Sequence, residues 1–66
     1  MWTTITTKGH IINLDNVAEI FCDDDGVTLR IIYNGGIVSD FKFESKEWAN
    51  QEYDRLERLL LNERSW

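Results

Sequence analysis

Residues 17–43 read VAEIFCDDDGVTLRIIYNGGIVSDFKF, and the facing of their side chains decides the fold. β-Branched, aromatic and other apolar residues alternate with polar ones around two turn signals, Asp23-Asp24-Asp25-Gly26 and Asn34-Gly35-Gly36. That pattern predicts antiparallel strands over about 17–22, 27–33 and 37–43. A two-residue second loop would set Arg30 beside Phe41 and Ile31 beside Asp40, mixing charge into the core. A three-residue loop sets Leu29 beside Phe41, Ile31 beside Ser39 and Tyr33 beside Ile37, and Gly36 supplies the left-handed residue such loops use. A one-residue slip would turn the strand over, so the three-residue loop is expected.

A four-residue first loop sets Cys22 opposite Val27, Ile20 opposite Leu29 and Ala18 opposite Ile31. Both hairpins then share one inner face: Ala18, Ile20, Cys22, Val27, Leu29, Ile31, Tyr33, Ile37, Phe41 and Phe43. The outer face falls into three cross-strand rows: Glu19, Arg30 and Asp40; Val17, Ile32 and Val38; Phe21, Thr28 and Lys42.

Before this meander, residues 2–7 are rich in Thr and Ile and predict a strand, Lys8-Gly9 a turn, and residues 10–14 a second short strand. Asp15-Asn16 is a turn signal that bonds its own backbone. After it, Ser45 is a natural helix N-cap with Glu47 in the first turn. Ala49, Tyr53, Leu56 and Leu60 recur at helical spacing, with Trp48 and Leu59 beside them. The expected helix covers about 46–62, with Ser65-Trp66 frayed. The fold class is therefore α+β: one antiparallel sheet of four to five strands, with a single C-terminal amphipathic helix packed on its inner face, in one domain.

The 66 residues hold one cysteine and one histidine, so an intrachain disulfide is excluded and no zinc ligand set is in sight. A domain this small needs good packing or self-association. The lone Cys22 suits a reducing, cytoplasmic setting. No signal peptide and no run of about 18 apolar residues for a membrane span are seen. Twelve acidic against seven basic side chains give a net charge of −5, and the basic ones are scattered. Such a surface repels phosphate backbones, which points away from nucleic acid.

No motif carries catalysis. Asp23-Asp24-Asp25-Gly26 lacks the alternating ligands and the distal Glu of a calcium loop, since the twelfth position from Asp23 is Asn34. His10 has no nucleophile to serve. Cys22 is expected to face inward as a small hydrophobe. An arginine centred on a sheet can bind a carboxylate or phosphate, but Glu19 and Asp40 already compete for Arg30. The expectation is no enzyme, no cofactor and no metal.

What remains is the outer face. Val17, Ile32 and Val38, with Phe21 nearby, are apolar on the side away from the helix, where solvent alone would not need them. Either the segment 2–7 folds over them or a second subunit does. The expected interaction face is Val17, Glu19, Phe21, Arg30, Ile32, Val38 and Asp40, and the expected partner is self, as a homodimer, or another protein.

The run Ile12-Asn13-Leu14-Asp15-Asn16-Val17, followed by paired strands and then Phe41, Phe43, Ser45, Ala49 and Tyr53, resembles a pattern in small uncharacterised bacterial and prophage proteins. The resemblance implies an α+β accessory protein and no activity. Two alternative functions stand beside the interaction module. One is a phage-type inhibitor of host defence that sequesters a small ligand, held near Arg30, Tyr33 or the tryptophans. The other is an acidic decoy.

Overall fold

The computed structural model describes residues 1–64, so the frayed end expected at Ser65-Trp66 lies outside the described residues. The chain runs β1 (Trp2–Ile5), β2 (His10–Asn13), a 3-10 turn (Leu14–Asn16), β3 (Val17–Cys22), β4 (Thr28–Tyr33), β5 (Val38–Lys42) and α1 (Lys46–Arg64). The α+β class is as expected, but the strands form two antiparallel sheets, β1-β2 and β3-β4-β5, rather than one.

The division has a local cause. The Asn13 side chain accepts the Asp15 N–H at 3.1 Å and caps the 3-10 turn. That turn breaks the strand direction between β2 and β3 and buries Leu14. β1 and β2 then put Ile5 and Ile12 into the same core as Leu29, Ile31, Phe41, Phe43, Ala49 and Leu56. Laying the Ile5–Ile12 face on the core removes that apolar area from water, which extending a sheet edge would not do. The hairpin therefore shares the inner face with the helix. The His10 ring meets Phe41 edge-on at 5.1 Å, and the Lys8 ammonium lies 5.0 Å from the Phe43 ring centre. The helix packs chiefly on β3 and then on β4.

The β4–β5 register is the expected one: Leu29 faces Phe41, Ile31 faces Ser39, and the Tyr33 N–H bonds the Ile37 carbonyl at 2.8 Å. Gly35 and Gly36 take φ of 97° and 90°, a region closed to most side chains. Ile37, expected on the inner face, is instead 68 % exposed, lying just outside β5 beside the Gly35-Gly36 turn.

The β3–β4 register differs by two residues from the expected one, with Cys22 opposite Leu29 and Ile20 opposite Ile31. An even shift keeps each side chain on its face. The loop chemistry sets it. The Asp23 N–H bonds the Thr28 carbonyl at 2.8 Å, and Asp25 Oδ1 accepts the N–H groups of Val27 and Thr28, both at 3.0 Å. The four-residue loop is thus 24–27, not 23–26.

A β-bulge at Ala18 makes a further correction, since the register breaks between Val17 and Glu19. Val17, expected outside, pairs with Tyr33 and is 1 % exposed, while Ala18, expected inside, is exposed. Burying valine in place of alanine adds two carbons to the core, worth roughly 1–2 kcal/mol.

On the helix, the Ser45 hydroxyl accepts the Trp48 N–H at 3.2 Å, so the N-cap is as expected. Ala49 and Leu56 are fully buried, with Tyr53, Leu59 and Leu60 packed beside them. The polar face hides one further residue. Glu52 is 4 % exposed. Its carboxylate accepts the Thr6 N–H at 2.8 Å and two Arg55 N–H groups at 2.9 and 2.8 Å. Arg55 also donates to the Thr3 hydroxyl at 3.0 Å and to the Thr4 carbonyl. This pair clamps the helix to the N-terminal hairpin. Burial pushes the Glu52 carboxyl up, but the bonds from Arg55 and Thr6 outweigh it and hold the group below the usual glutamate range.

Three outcomes are expected in urea denaturation. Leu29→Ala and Leu56→Ala each cost about 2–5 kcal/mol. Val17→Lys unfolds the domain, whereas Ala18→Lys stays within about 0.5 kcal/mol; equal tolerance at the two positions would remove the bulge. Arg55→Ala strands a buried carboxylate and costs about 3 kcal/mol. Because the native Glu52 value is depressed, its contribution is complete above the usual glutamate range and is lost as pH falls through the lower native value. Glu52→Gln should flatten that acid decline; an unchanged acid limb would show that the clamp does not set it.

Candidate functional site

The outer face of β3-β4-β5 is left to solvent. Glu19, Val38, Asp40 and Lys42 are exposed, and Phe21, Thr28, Arg30 and Ile32 are half-buried among their neighbours. Of the seven residues expected to form an interaction face, Glu19, Phe21, Arg30, Ile32, Val38 and Asp40 share it, and Val17 does not. The two-residue register shift on β3 rebuilds the rows. Phe21, Arg30 and Asp40 now lie side by side, as do Glu19, Ile32 and Val38.

Arg30 organises the centre. Its Nε donates to Asp40 Oδ1 at 2.8 Å and its Nη2 to Asp40 Oδ2 at 3.1 Å, a two-pronged pair that fits guanidinium to carboxylate. Asp23 Oδ2 stands 3.7 Å away as the second acid, while Phe21 takes the cross-strand place expected for Glu19. The guanidinium also sits 5.7 Å from the Phe21 ring centre, close enough for a cation–π contact. Hydrogen bonding from Arg30, and then its charge, hold the Asp40 carboxyl below the usual aspartate range. Asp40 and Asp23 already neutralise the Arg30 charge, so an anionic ligand would have to compete with two carboxylates there.

Asp23 and Asp25 of the loop bond its own backbone and Thr28. Asp25 Oδ2 accepts the Thr28 hydroxyl at 2.7 Å, beside the two amides on Oδ1, and Asp23 Oδ1 accepts the Asp24 N–H at 2.9 Å. The Thr28 hydroxyl is the largest cause that lowers the Asp25 carboxyl. Among the described residues, no group of three His, Cys, Asp or Glu side chains is placed to hold a metal ion. Gly26, at φ 75°, lies under the aliphatic stem of Lys46, with Cε 3.0 Å from where a Cβ would stand. The Cys22 thiol is free and faces inward; burial, then the charges of Asp25 and Asp54, push it up and away from the reactive thiolate. His10 Nδ1 is 3.1 Å from the Lys8 carbonyl.

The residues named for a small ligand are not brought together. Tyr33 and Trp2 line one open depression with Ile11, Ile12, Asn13 and Asn16. Trp48 lines another with Thr7, Lys8, Phe43 and Glu44. Arg30 belongs to neither. A third groove, between β3 and the helix, is lined by Ala18, Glu19, Ile20, Tyr53, Glu57, Leu60 and Leu61.

Sequence reasoning missed the second apolar surface. Trp2 and Ile11 share the hairpin face opposite Ile5 and Ile12. They are 68 % and 66 % exposed, near Tyr33. The signal was the alternation in Trp2–Ile5 and His10–Asn13, which places apolar residues on both faces of the hairpin.

No protein-family model matches the chain, and neither does any curated protein or solved structure.

The loop makes a direct forecast. Asp25→Ala loses three accepted hydrogen bonds and should lower the urea midpoint measurably. Asp24→Ala should stay within about 0.5 kcal/mol. The native Asp25 value is depressed, so its contribution is present above the usual aspartate range and lost as pH falls through the native value. Urea midpoints at neutral and acid pH check this; equal costs for the two variants at neutral pH would contradict the loop geometry.

Proposed function

We propose that this chain is a non-enzymatic protein–protein interaction module that works as a homodimer. The observation that carries the proposal is exposed apolar surface on a domain whose core is small: Val38, 49 % exposed beside half-buried Ile32 and Phe21 on the outer sheet face, and Trp2 and Ile11, 68 % and 66 % exposed on the open face of the hairpin. Single exposed apolar residues are ordinary, but several on a domain this small mark contact surfaces. Burying them against a second copy would enlarge a core that 66 residues alone fill only thinly. Arg30 and Asp40 are paired with each other and Asp25 bonds its own loop, so these charged groups serve the fold. A reducing, cytoplasmic setting fits the free thiol of Cys22.

Sedimentation equilibrium across the micromolar range tests the proposal. The expected result is a reversible dimer. Ile11→Lys with Val38→Lys should shift it to monomer while the urea midpoint of the isolated fold stays within experimental error. A monomer for the unaltered protein at every concentration would overturn the homodimer.

A further inference from the structure

The three-stranded sheet has two free edges, and they differ. β3 carries the bulge at Ala18 and lies against the helix, both of which discourage another strand. β5 pairs with β4 in one unbroken register from Val38 to Lys42, with no bulge and no proline. Along an antiparallel ladder alternate residues bond the neighbour. The Tyr33 N–H bonds the Ile37 carbonyl and the Phe43 N–H bonds the Val27 carbonyl, both at 2.8 Å. Odd-numbered residues of this strand therefore face β4. Val38, Asp40 and Lys42 direct their N–H and C=O groups the other way, where no strand pairs with them among the described residues.

We infer that this edge pairs antiparallel with the same edge of a second copy, about a twofold axis at Phe41, making one six-stranded sheet; the inference rests on the homodimer proposed above. Charge selects the register. The outward residues can pair only with one another. Centring the axis on Asp40 would set the two Asp40 carboxylates face to face. Centring it on Ser39 would set Val38 against the partner's Asp40 and leave Lys42 over the Gly36 turn. Centring it on Phe41 sets Asp40 against the partner's Lys42, twice, once on each side of the axis. Lys42 is exposed, and within its own chain its charge acts on the Asp25 carboxylate without a close ion pair among the described residues. On the outer face the rows then alternate in sign across the junction: Arg30, Asp40, then the partner's Lys42. Four backbone hydrogen bonds form between the two Asp40–Lys42 pairs.

Two measurements test this. Amide hydrogen exchange followed by NMR, on the unaltered protein, should show the Asp40 and Lys42 amides protected about tenfold or more as concentration rises through the dimer transition. The second is a charge swap. Lys42→Glu alone sets acid against acid, and Asp40→Lys alone sets base against base. Each should weaken self-association about tenfold, and mixing the two variants should restore dimerisation as a heterodimer. A dimer whose Asp40 and Lys42 amides exchange freely would overturn the edge pairing and leave the homodimer standing. A strict monomer would overturn both, with Lys42 then acting as a guard against edge pairing. Unchanged self-association in Lys42→Glu would overturn the register.

Discussion

The clamp between Glu52 and Arg55 is the constraint on which the rest of the architecture depends. A carboxylate as buried as Glu52 is tolerable only when its oxygens are bonded. Here Arg55 takes both of them and the Thr6 amide shares one. Arg55 in turn reaches Thr3 and Thr4, so β1 is held to the helix through its backbone as well as its side chains. The hairpin cannot slide along the helix or join the sheet edge without stranding these groups. Its apolar residues Ile5 and Ile12 meet the core in one fixed way as a result. Apolar contact alone is non-directional and would allow several placements of so short a hairpin.

Much of this was legible in residues 17–43, and the rest was not, for identifiable reasons. The β4–β5 register could be read because Gly35-Gly36 limits the loop and because any odd slip would have buried Arg30. The β3–β4 register could not, because Asp23, Asp24 and Asp25 offer several equivalent ways to close a loop, and the choice depends on which carboxylate bonds which amide. The bulge at Ala18 left no trace in the alternation, since Val17 and Ala18 are both apolar and either could face inward. Strands β1 and β2 were visible by composition, but pairing partners are a tertiary property. Glu52 and Arg55 look, at i and i+3, like an ordinary exposed pair. Only the hairpin lying over them makes one of them a core residue.

The candidate surface was legible to a similar depth. Glu19, Phe21, Arg30, Ile32, Val38 and Asp40 could be assigned to one face from alternation alone, and an even register shift left that assignment intact. Which of them touch could not be assigned, because an even shift still exchanges cross-strand neighbours. Arg30 meets Phe21, Asp23 and Asp40 rather than Glu19. The electrostatic centre of the sheet thus rests on a single cation with two acids and a ring. A change at any one of these four positions alters the surroundings of the other three.

The clamp also bears on how the chain reaches this state. The meander closes through turns of a few residues, whereas the Thr6–Glu52 bond spans 46 residues and the Thr3–Arg55 bond 52. Joining ends that far apart costs roughly 2 kcal/mol more in chain entropy than closing a five-residue loop. A ribosome delivers β1 and β2 first, yet their polar anchors emerge only with the helix. Until then the N-terminal hairpin is a tethered, half-finished element with Ile5 and Ile12 open to water. The strand partners of β1 are at hand once β2 is made, but its bonds to Glu52 and Arg55 must wait for the last element of the domain.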